Sequence, residues 1–530
     1  MAWFSANIND TLSAARSNTW TTIITVFSLA FVYVQYRRSP WRKLPPGPKG
    51  VPVLGNIFQL GKTQWYTFTE WRKQYGDVVY LNLAGQPAVV LNSLKAAADI
   101  LDRRAGLNSD RPSYIVASEM MSRNMFMGFT PYNDLWRTMR RASHEGLHKA
   151  ITPNFHPTQM KEAAILASEI ISTPKNWDNH LRRAATSVIA SIVYDTPTLK
   201  SEEDPLVMEV NQFTARLTKA ALPGAHFVES FPWMKHIPAS LAKWKQIALE
   251  SYKKDTSMLT GLMRPVRNQI AAGEDRPSFS ATVINDKSHN MTEAESAWLA
   301  GSVYAAGAET TSAVMAWWVL GVIAYPDTLK KAREEIDSVV GRDRMPTFDD
   351  FDHLPYIRAM AKEVLRWRPV APLGSPHRST EDDTYEGHFI PANTILISNI
   401  WSINRDPLVF GPDAHEFNPS RFITKDPKTG ETMLVPAPYD TKDEHHVAFG
   451  FGRRICVGRY VGNDSLFIDI ATLVWAMNIE YVGKRPIDLD GYVDEGIVIR
   501  PPTLQVKFSP RSPDVREIIE RTLEEFGYQK

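Results

Sequence analysis

The sequence contains a single cysteine, Cys456, among 530 residues. One cysteine cannot form a disulfide within the chain, and it cannot build a zinc or iron–sulfur site that needs two or four thiolates. Three interpretations remain open for this thiol: a small apolar side chain in the core, a catalytic nucleophile, or a thiolate that holds one metal through one bond.

The sequence also lacks an excess of charge of either sign. Lysine and arginine number 60, aspartate and glutamate number 59, and the formal net charge is +1. This balance argues against a nucleic-acid partner, which would need a strongly basic surface. Apolar residues make up 43% of the chain, and no internal repeat or interior linker divides it. We therefore expect one large domain with an ordinary core.

The residues around Cys456 favour a metal ligand. The cysteine lies in residues 449–458, a segment with three glycines and two arginines. Glycines such as Gly450 let the backbone turn tightly and approach a flat surface. Arginines such as Arg454 lower the pKa of a thiol and bind anionic groups of a cofactor. A thiolate beside a flat ligand that carries carboxylates suits haem.

The order F-x-x-G-x-R-x-C-x-G over residues 449–458 resembles the haem-binding signature of the cytochrome P450 family. The resemblance implies haem b as the cofactor, Cys456 as the axial ligand of its iron, and Phe449, Gly450 and Arg454 as cofactor-binding residues. An inert core cysteine is the alternative interpretation. A nucleotide-binding glycine loop is disfavoured because the third glycine of that motif is absent.

A long apolar helix is predicted from a capping box at residues 292–295 to residue 325, where a proline follows. Its middle contains Gly307, Glu309 and Thr310, which are unfavourable in a buried helix unless they serve a function. Gly307 would let a planar ligand or O2 approach, and the Thr310 hydroxyl can bond back to Ala306. The stretch resembles the oxygen-activation motif of the family, which implies Glu309 and Thr310 as a catalytic acid–alcohol pair. A kinked core helix is the alternative.

Three further residues resemble the family's donors to the haem propionates. Trp136 and Arg140 are one helical turn apart, so both side chains can donate to one carboxylate pair. His377 precedes a predicted hairpin and matches an additional propionate donor by position. Each has an ordinary interpretation as well: an inward-packed tryptophan, a solvated arginine and a satisfied structural histidine.

Glu363 and Arg366 have the i, i+3 spacing that lets two side chains pair on a helix, here predicted at residues 356–367. Arg421 follows in the segment 417–422, where Ser420 stands in place of the acidic residue usual in the family. The resemblance implies that Glu363, Arg366 and Arg421 form a buried structural network and perform no chemistry.

Residues 17–36 carry no charge and are long enough for one membrane-spanning helix. A signal peptide is the alternative, but no small-x-small cleavage site follows, whereas four basic residues do. This bias predicts a lumenal segment at residues 1–16 and a cytosolic body. Residues 37–56 read as a basic, proline-rich hinge and residues 57–530 as the single catalytic domain. The resemblance implies a single-pass protein of the endoplasmic reticulum membrane.

The patterns predict a mainly α-helical fold with small β-sheets after the transmembrane helix. Helices are predicted at residues 64–75, 94–103, 133–149, 157–172, 179–194, 205–221, 238–272, 356–367 and 460–479, with a surface helix within 513–530. Hairpins are predicted at residues 77–91 and 385–397. The apolar stretch 222–234 either dips into the membrane beside a lipophilic substrate entrance, as in the family, or packs in the core.

Together the motifs resemble those of fungal microsomal cytochromes P450, including the group around O-methylsterigmatocystin oxidoreductase. The implied activity is that of a haem monooxygenase that oxidises a lipophilic small molecule with O2, such as a fungal terpenoid or polyketide intermediate. No flavin or NADPH fingerprint is present, so electrons would come from an NADPH–cytochrome P450 reductase, with cytochrome b5 as an optional donor. Two alternatives remain: a haem-thiolate isomerase or dehydratase, and a non-catalytic haem-binding membrane protein. A mainly apolar substrate pocket is expected from residues 112–130, 206–231, 298–305, 370–375 and 495–499.

Overall fold

The computed structural model describes residues 23–528 apart from residues 32, 36, 202, 203, 223, 275 and 497. Helices dominate these residues. The α-helices are α1 Gln64–Tyr75, α2 Leu94–Ala97, α3 Asp134–Leu147, α4 His156–Ser172, α5 Trp177–Tyr194, α6 Pro205–Ala221, α7 Phe227–Ser230, α8 Lys243–Ala271, α9 Phe279–Asn285, α10 Glu293–Ala324, α11 Pro326–Val339, α12 Pro355–Trp367, α13 Ile400–Ile403, α14 Pro407–Phe410, α15 Arg459–Ala476 and α16 Val515–Glu525. Wider π-helical turns at Ala98–Arg103 continue α2, and a separate π-helical segment, Ile115–Met121, precedes α3.

The strands form small sheets beside the helical body. They are β1 Val78–Leu83, β2 Gln86–Leu91, β3 His377–Arg378, β4 Asp383–Tyr385, β5 His388–Ile390, β6 Ile395–Ser398, β7 Ile423–Lys425, β8 Thr432–Leu434, β9 Met477–Tyr481, β10 Val493–Asp494, β11 Ile499–Arg500 and β12 Val506–Pro510. The largest sheet has the order β1-β2-β6-β3, with β2 and β6 parallel and the other pairs antiparallel. This sheet brings residues near 90 and near 396 together.

Helix α10 is the central element. The Thr292 hydroxyl accepts from the Glu295 N–H and the Glu295 carboxylate accepts from the Thr292 N–H, so the predicted capping box starts the helix. The helix packs against α5, α8, α12 and α15, and its tryptophans Trp317 and Trp318 are fully buried. In the described part of the chain it is the one helix long and apolar enough to span a membrane, but 72% of its apolar window is buried in protein. It is therefore a core helix.

Two large apolar cores meet along α10. One contains the second half of α10 with α4, α12 and α15. The other contains its first half with α6, α8 and the segment Ile115–Met121. Ala308 belongs to the second core and Val314 to the first, so Glu309 and Thr310 lie where the two cores meet. Polar side chains at this position do not disrupt either core.

Most predicted elements are present within a few residues of their expected bounds. Helix α1 and the β1–β2 hairpin match the predictions closely. The helix predicted at residues 460–479 is too long, because α15 ends at Ala476 and the chain continues as β9. There Ile479 pairs with Phe508 of β12. Partners distant in sequence thus end this helix, and no local helix-breaking residue marks the position.

Two other predictions of local structure need correction. The hairpin predicted at residues 385–397 is shorter, because β4 pairs with β5 whereas β6 joins β2 in the large sheet. The carboxy-terminal helix does not lie wholly on the surface. One face of α16 packs against α4 and is buried, with Ile518 and Ile519 at its centre.

The predicted transmembrane helix at residues 17–36 falls partly outside the described residues, because residues 17–22, 32 and 36 are not described. The described part contains an apolar helical segment, Ile23–Gln35, in which Phe27 and Phe31 are exposed. The predicted hinge that follows contacts the body of the protein, since the Pro46 carbonyl accepts from the Tyr80 N–H of β1 at 2.9 Å.

Candidate active site

Cys456 lies in a tight loop that ends at the start of α15. Its N–H donates to the carbonyl of Phe449 at 2.8 Å. Gly450 and Gly452 have φ of +79° and +60°, the left-handed region that side chains disfavour. A Cβ at Gly452 would also lie 2.1 Å from the carbonyl oxygen of Leu101. The loop therefore requires glycine at position 452, and this geometry sets where the thiol points.

The environment of Cys456 opposes ionisation of the free thiol. The side chain is accessible to solvent but surrounded by protein, as on the wall of an internal cleft. Burial raises the pKa of Cys456 above its usual value, while the Gly458 N–H, Arg140 and Arg459 act in the opposite direction. A thiolate at this position therefore needs a bound positive ion close to the sulfur.

Three arginines around this cleft have no carboxylate within ion-pair distance among the described residues: Arg111, Arg140 and Arg454. Burial lowers the pKa of all three guanidinium groups, and repulsion from Arg111 and Arg140 lowers the pKa of Arg454 further. Clustered cations away from water are costly unless anions pair with them. The cluster therefore predicts an anionic ligand.

Arg454 is held in place by main-chain carbonyls. Its Nε donates to Ser109 and its Nη2 to Thr130, both at 2.8 Å. Its guanidinium carbon lies 4.1 Å from the ring centroid of Trp136. These contacts leave the guanidinium charge without a counterion and fix it beside the predicted tryptophan.

The other residues predicted to donate hydrogen bonds to the haem propionates are Trp136, Arg140 and His377. Trp136 is buried, yet its indole N–H has no hydrogen-bond acceptor in the part of the chain that the structure describes, and the same holds for the Arg140 guanidinium. His377 is buried with its Nδ1 2.7 Å from the Asn108 carbonyl, so Nδ1 carries the hydrogen. Burial, followed by Arg111, lowers the pKa of His377 to about 3. An anion nearby would favour a second proton on its Nε2.

Sequence reasoning missed Arg111. Its Nη1 donates to the carbonyls of Ser375 and Pro376 at 2.7 and 2.6 Å, which ties it to the loop before His377. Nothing local distinguishes this arginine from a surface residue, because its burial depends on a segment more than 260 residues away. In the sequence Arg111 follows Asp110, which suggests a paired charge. In the structure Asp110 pairs with Arg378, so the Arg111 charge has no carboxylate partner there.

The middle of α10 opens towards solvent at one position. Ala306 is exposed in a helix that is otherwise largely buried, and the Thr310 hydroxyl donates to its carbonyl at 2.9 Å. A Cβ at Gly307 would lie 2.7 Å from Ile189, so this glycine also allows close packing of α10 on α5. Its role in making room for a ligand stays a prediction. Ala306 is the exposed residue at the opening.

Glu309 lies next to this opening with its carboxylate free of hydrogen bonds within the described chain. Burial raises the pKa of Glu309, the charge of Glu495 raises it further, and Arg182 and Arg500 oppose the shift. Arg182 and Glu495 form an ion pair at 2.7 Å, and Arg500 donates to Ser312 at 2.9 Å. A charged network thus connects the surface with this part of α10.

The structure brings Glu363, Arg366 and Arg421 together. Arg366 donates twice to Glu363, at 2.7 and 2.8 Å, and Arg421 donates to the same carboxylate at 3.0 Å. Arg366 also donates to three main-chain carbonyls, and Arg421 pairs with Asp413. Glu363 and Arg366 are fully buried. Asp413, which the sequence did not single out, supplies a second negative charge.

The comparison with protein families decides the identity of the chain, since the cytochrome P450 model matches residues 45–508. The chain belongs to the cytochrome P450 family. It is 54% identical over 523 residues to a cytochrome P450 monooxygenase of Armillaria gallica, covering 98% of this chain and 99% of the relative. A second relative, from Postia placenta, is 46% identical, with 90% of each chain covered. A third, from Amanita muscaria, is 37% identical, covering 91% of this chain and 94% of the relative.

The chain is a fungal-type cytochrome P450 monooxygenase, and its cofactor is haem b. The residues of this structure fit that cofactor. A lone thiol on the wall of a cleft, three arginines without counterions and an unused indole N–H match a planar iron complex with two carboxylates. The prediction of family, fold class and cofactor is confirmed.

Arg140 provides a test of how the propionates are held. We expect Arg140→Ala to weaken haem binding by at least about tenfold, because a charge-assisted hydrogen bond contributes about 1.5–3 kcal/mol. The haem-free protein should be no less stable, since Arg140 makes no hydrogen bond within the described chain. The measurement is the rate of haem transfer to apomyoglobin. The exposed neighbour Arg141 is the control, and equal haem loss from Arg141→Ala would contradict the assignment.

Proposed function

We propose that this P450 hydroxylates or otherwise oxidises a lipophilic intermediate of fungal secondary metabolism, with O2 and electrons from an NADPH-dependent reductase. The observation that carries the proposal is the exposed position of Ala306 in the middle of a buried helix, where the Thr310 hydroxyl donates to the Ala306 carbonyl and burial raises the pKa of the neighbouring Glu309. A haem-binding scaffold without turnover would not need such a pair inside a buried helix.

The residues that would hold the haem are the Cys456 thiolate on the iron side and a set of donors on the propionate side. Those donors are Arg111, Trp136, Arg140, His377 and Arg454. When bound through a thiolate, haem supplies the electron-rich iron centre that activates O2. Phe449 and Gly450 would shape the loop that presents Cys456 to the haem, and Gly307 would make room for the haem or O2 besides letting α10 pack on α5.

We assign proton handling to Thr310 and Glu309. The Thr310 hydroxyl donates to Ala306 in this structure, and rotation of its side chain would turn the hydroxyl towards the opening to bind O2 or a water molecule. Burial keeps the pKa of Glu309 high, so its carboxyl group can hold a proton closer to neutral pH than an exposed glutamate. Protons from the surface can reach it past Arg182 and Glu495. Positioned transfer of this kind contributes about 10²–10⁴-fold in rate.

Removing the Thr310 hydroxyl should divert electrons taken from NADPH from oxidised product to hydrogen peroxide. We expect Thr310→Ala to retain haem and substrate binding and to keep consuming NADPH, but to release more hydrogen peroxide and less oxidised product. The measurement is the ratio of product and peroxide to NADPH. Thr311→Ala is the matched control, because it removes a neighbouring hydroxyl from the same helix. If Thr310→Ala stays fully coupled, Thr310 only shapes the helix.

The proposed substrate is apolar because the elements around the opening are apolar. The segment Ile115–Met121 packs with the first half of α10 and with α6, and the Met127 N–H donates to Ser302 of α10 at 3.1 Å. A fungal terpenoid or polyketide intermediate suits such surroundings. Coexpression with a reductase and candidate precursors, followed by mass spectrometry, tests this proposal. Product that forms without NADPH or reductase would instead indicate an isomerase or dehydratase.

We further propose that NADPH–cytochrome P450 reductase supplies the electrons, with cytochrome b5 as an optional donor, and that the chain is a single-pass protein of the endoplasmic reticulum with a cytosolic catalytic domain. Its charge-free residues 17–36 and the basic residues after them support the anchor. The stretch 222–234 supports a second membrane contact. Phe227, Phe231 and Trp233 are 77%, 52% and 67% exposed, which favours membrane contact over core packing.

Deletion of residues 1–43 should remove the anchor but leave measurable binding to phospholipid vesicles. In that truncated protein we expect Phe227→Ser with Trp233→Ser to reduce vesicle binding by about tenfold or more, because each buried aromatic side chain contributes about 1.5–3 kcal/mol. Leu408→Ser is the control, since Leu408 is 92% exposed on α14. A native protein that starts after residue 36 would contradict the anchor.

A further inference from the structure

A cluster of one histidine and two carboxylates lies at the carboxy-terminal end of α3. Nε2 of His289 is 2.7 Å from a carboxylate oxygen of Glu145 and 3.4 Å from one of Asp286. One ligand atom from each residue lies within 4.8 Å of the other two. Glu145 is in the last turn of α3, and Asp286 and His289 lie in the segment between α9 and α10.

The charges of this cluster are not balanced by protein cations. Within the described residues neither Glu145 nor Asp286 has a lysine or arginine at ion-pair distance; His289 is the one basic group that faces them. A neutral imidazole offers at most one hydrogen on Nε2, which satisfies one carboxylate. Two negative groups therefore converge on one nitrogen, an arrangement that a divalent cation would neutralise.

The ligands are also oriented for this purpose. The His289 side chain is only 5% exposed, so its ring is held by its surroundings with Nε2 towards the carboxylates. Asp286 uses one oxygen to accept from the Ser288 N–H at 2.8 Å, which leaves the other for the cluster. Ligands held by hydrogen bonds of this kind are typical of metal sites.

We propose that Glu145, Asp286 and His289 bind a zinc ion that links α3 to the segment entering α10. Zinc takes imidazole nitrogen and carboxylate oxygen at about 2.0–2.2 Å, and tetrahedral ligand atoms then lie about 3.3 Å apart. The separations in the structure are close enough that small side-chain movements complete the site. Glu145 and Asp286 are partly exposed, which leaves room for water as the fourth ligand.

Such a site would brace the haem pocket from outside. Helix α3 carries Trp136 and Arg140, and α10 carries the opening at Ala306. A zinc ion between their ends would fix one helix against the other without contacting haem or substrate. The site therefore stands independently of the proposed function.

The test uses full-length, haem-loaded protein that carries no polyhistidine tag and has been stripped of metals by a chelator. Titration with zinc should show one tight site per chain and raise the temperature of thermal unfolding. Glu145→Gln, Asp286→Asn and His289→Gln should each weaken zinc binding by at least about tenfold, because each removes one of three protein ligands. Their haem spectra should match that of the wild type, which separates ligand loss from misfolding.

The matched control is His144→Gln. His144 and His148 lie on the same surface, with ring centroids 5.5 Å apart, and could hold zinc by themselves. Zinc binding that survives all three cluster substitutions, or that depends on His144, overturns the proposal. So does a zinc X-ray absorption spectrum that shows sulfur, which would place the ion on Cys456. If wild-type protein binds no zinc, the proposal fails.

Discussion

Cys456→Ser is expected to abolish monooxygenase activity and the thiolate-type Soret band of the reduced carbon-monoxide complex. Cys456 is the only thiol in the chain, so no other side chain can supply a thiolate. A serine hydroxyl does not provide the electron density that a thiolate gives to haem iron. Because burial already raises the pKa of Cys456, the loop does not stabilise an anion without the metal.

Two comparisons make this experiment specific. Cys456→His should retain more haem than Cys456→Ser, because imidazole binds haem iron, but it should also lack the thiolate-type band. Both variants keep Gly450 and Gly452, so the fold of the loop is preserved. A thiolate-type band in either variant would show that Cys456 is not the ligand.

Arg366→Ala is expected to lower the free energy of unfolding by about 3–5 kcal/mol and to leave little haem-loaded protein. Among the described residues, the substitution removes five hydrogen bonds and leaves the fully buried Glu363 with Arg421 as its one remaining cationic partner. Such a loss is a large part of the roughly 5–15 kcal/mol that stabilises a typical domain. Denaturant unfolding and the haem content of purified protein are the measurements.

A surface pair and a double variant separate the possible causes. Lys73→Ala removes an ion pair with Glu70 whose side chains are both more than 60% exposed, so we expect no measurable change. The double variant Glu363→Leu with Arg366→Met should be more stable than Arg366→Ala, because it leaves no uncompensated carboxylate. Normal haem content with a selective loss of turnover in Arg366→Ala would mean that the network takes part in the chemistry.

Features that depend on short spacings were predictable from the sequence. Helical geometry places residues three or four apart on one face, so the pairing of Glu363 with Arg366 and the bond from Thr310 to Ala306 are already contained in the local sequence. The capping box of α10 is local for the same reason. The single cysteine and the glycines around it predicted the family and the cofactor, because a short motif of this kind is specific for one family.

Only the tertiary structure shows which charged side chains lack an ion-pair partner and which positions of the helices are packed against other elements. In the sequence Arg111 is indistinguishable from a surface arginine. In the folded chain it donates to the loop before His377 and is buried. The sequence does not show that Gly307 also lets α5 bring Ile189 close to α10. Helix α15 ends at Ala476 only because a distant strand pairs with β9.

The physical reason is the range of the interactions involved. The sequence by itself determined the family and most of the helices, and it predicted the iron ligand, because these depend on neighbours within a few residues along the chain. The counterion balance around Arg454, the packing of Gly307 and the cluster at His289 depend on burial and on partners from distant segments. Those partners meet only when the chain has folded. The full set of residues proposed to bind the cofactor could therefore be recognised only in the tertiary structure.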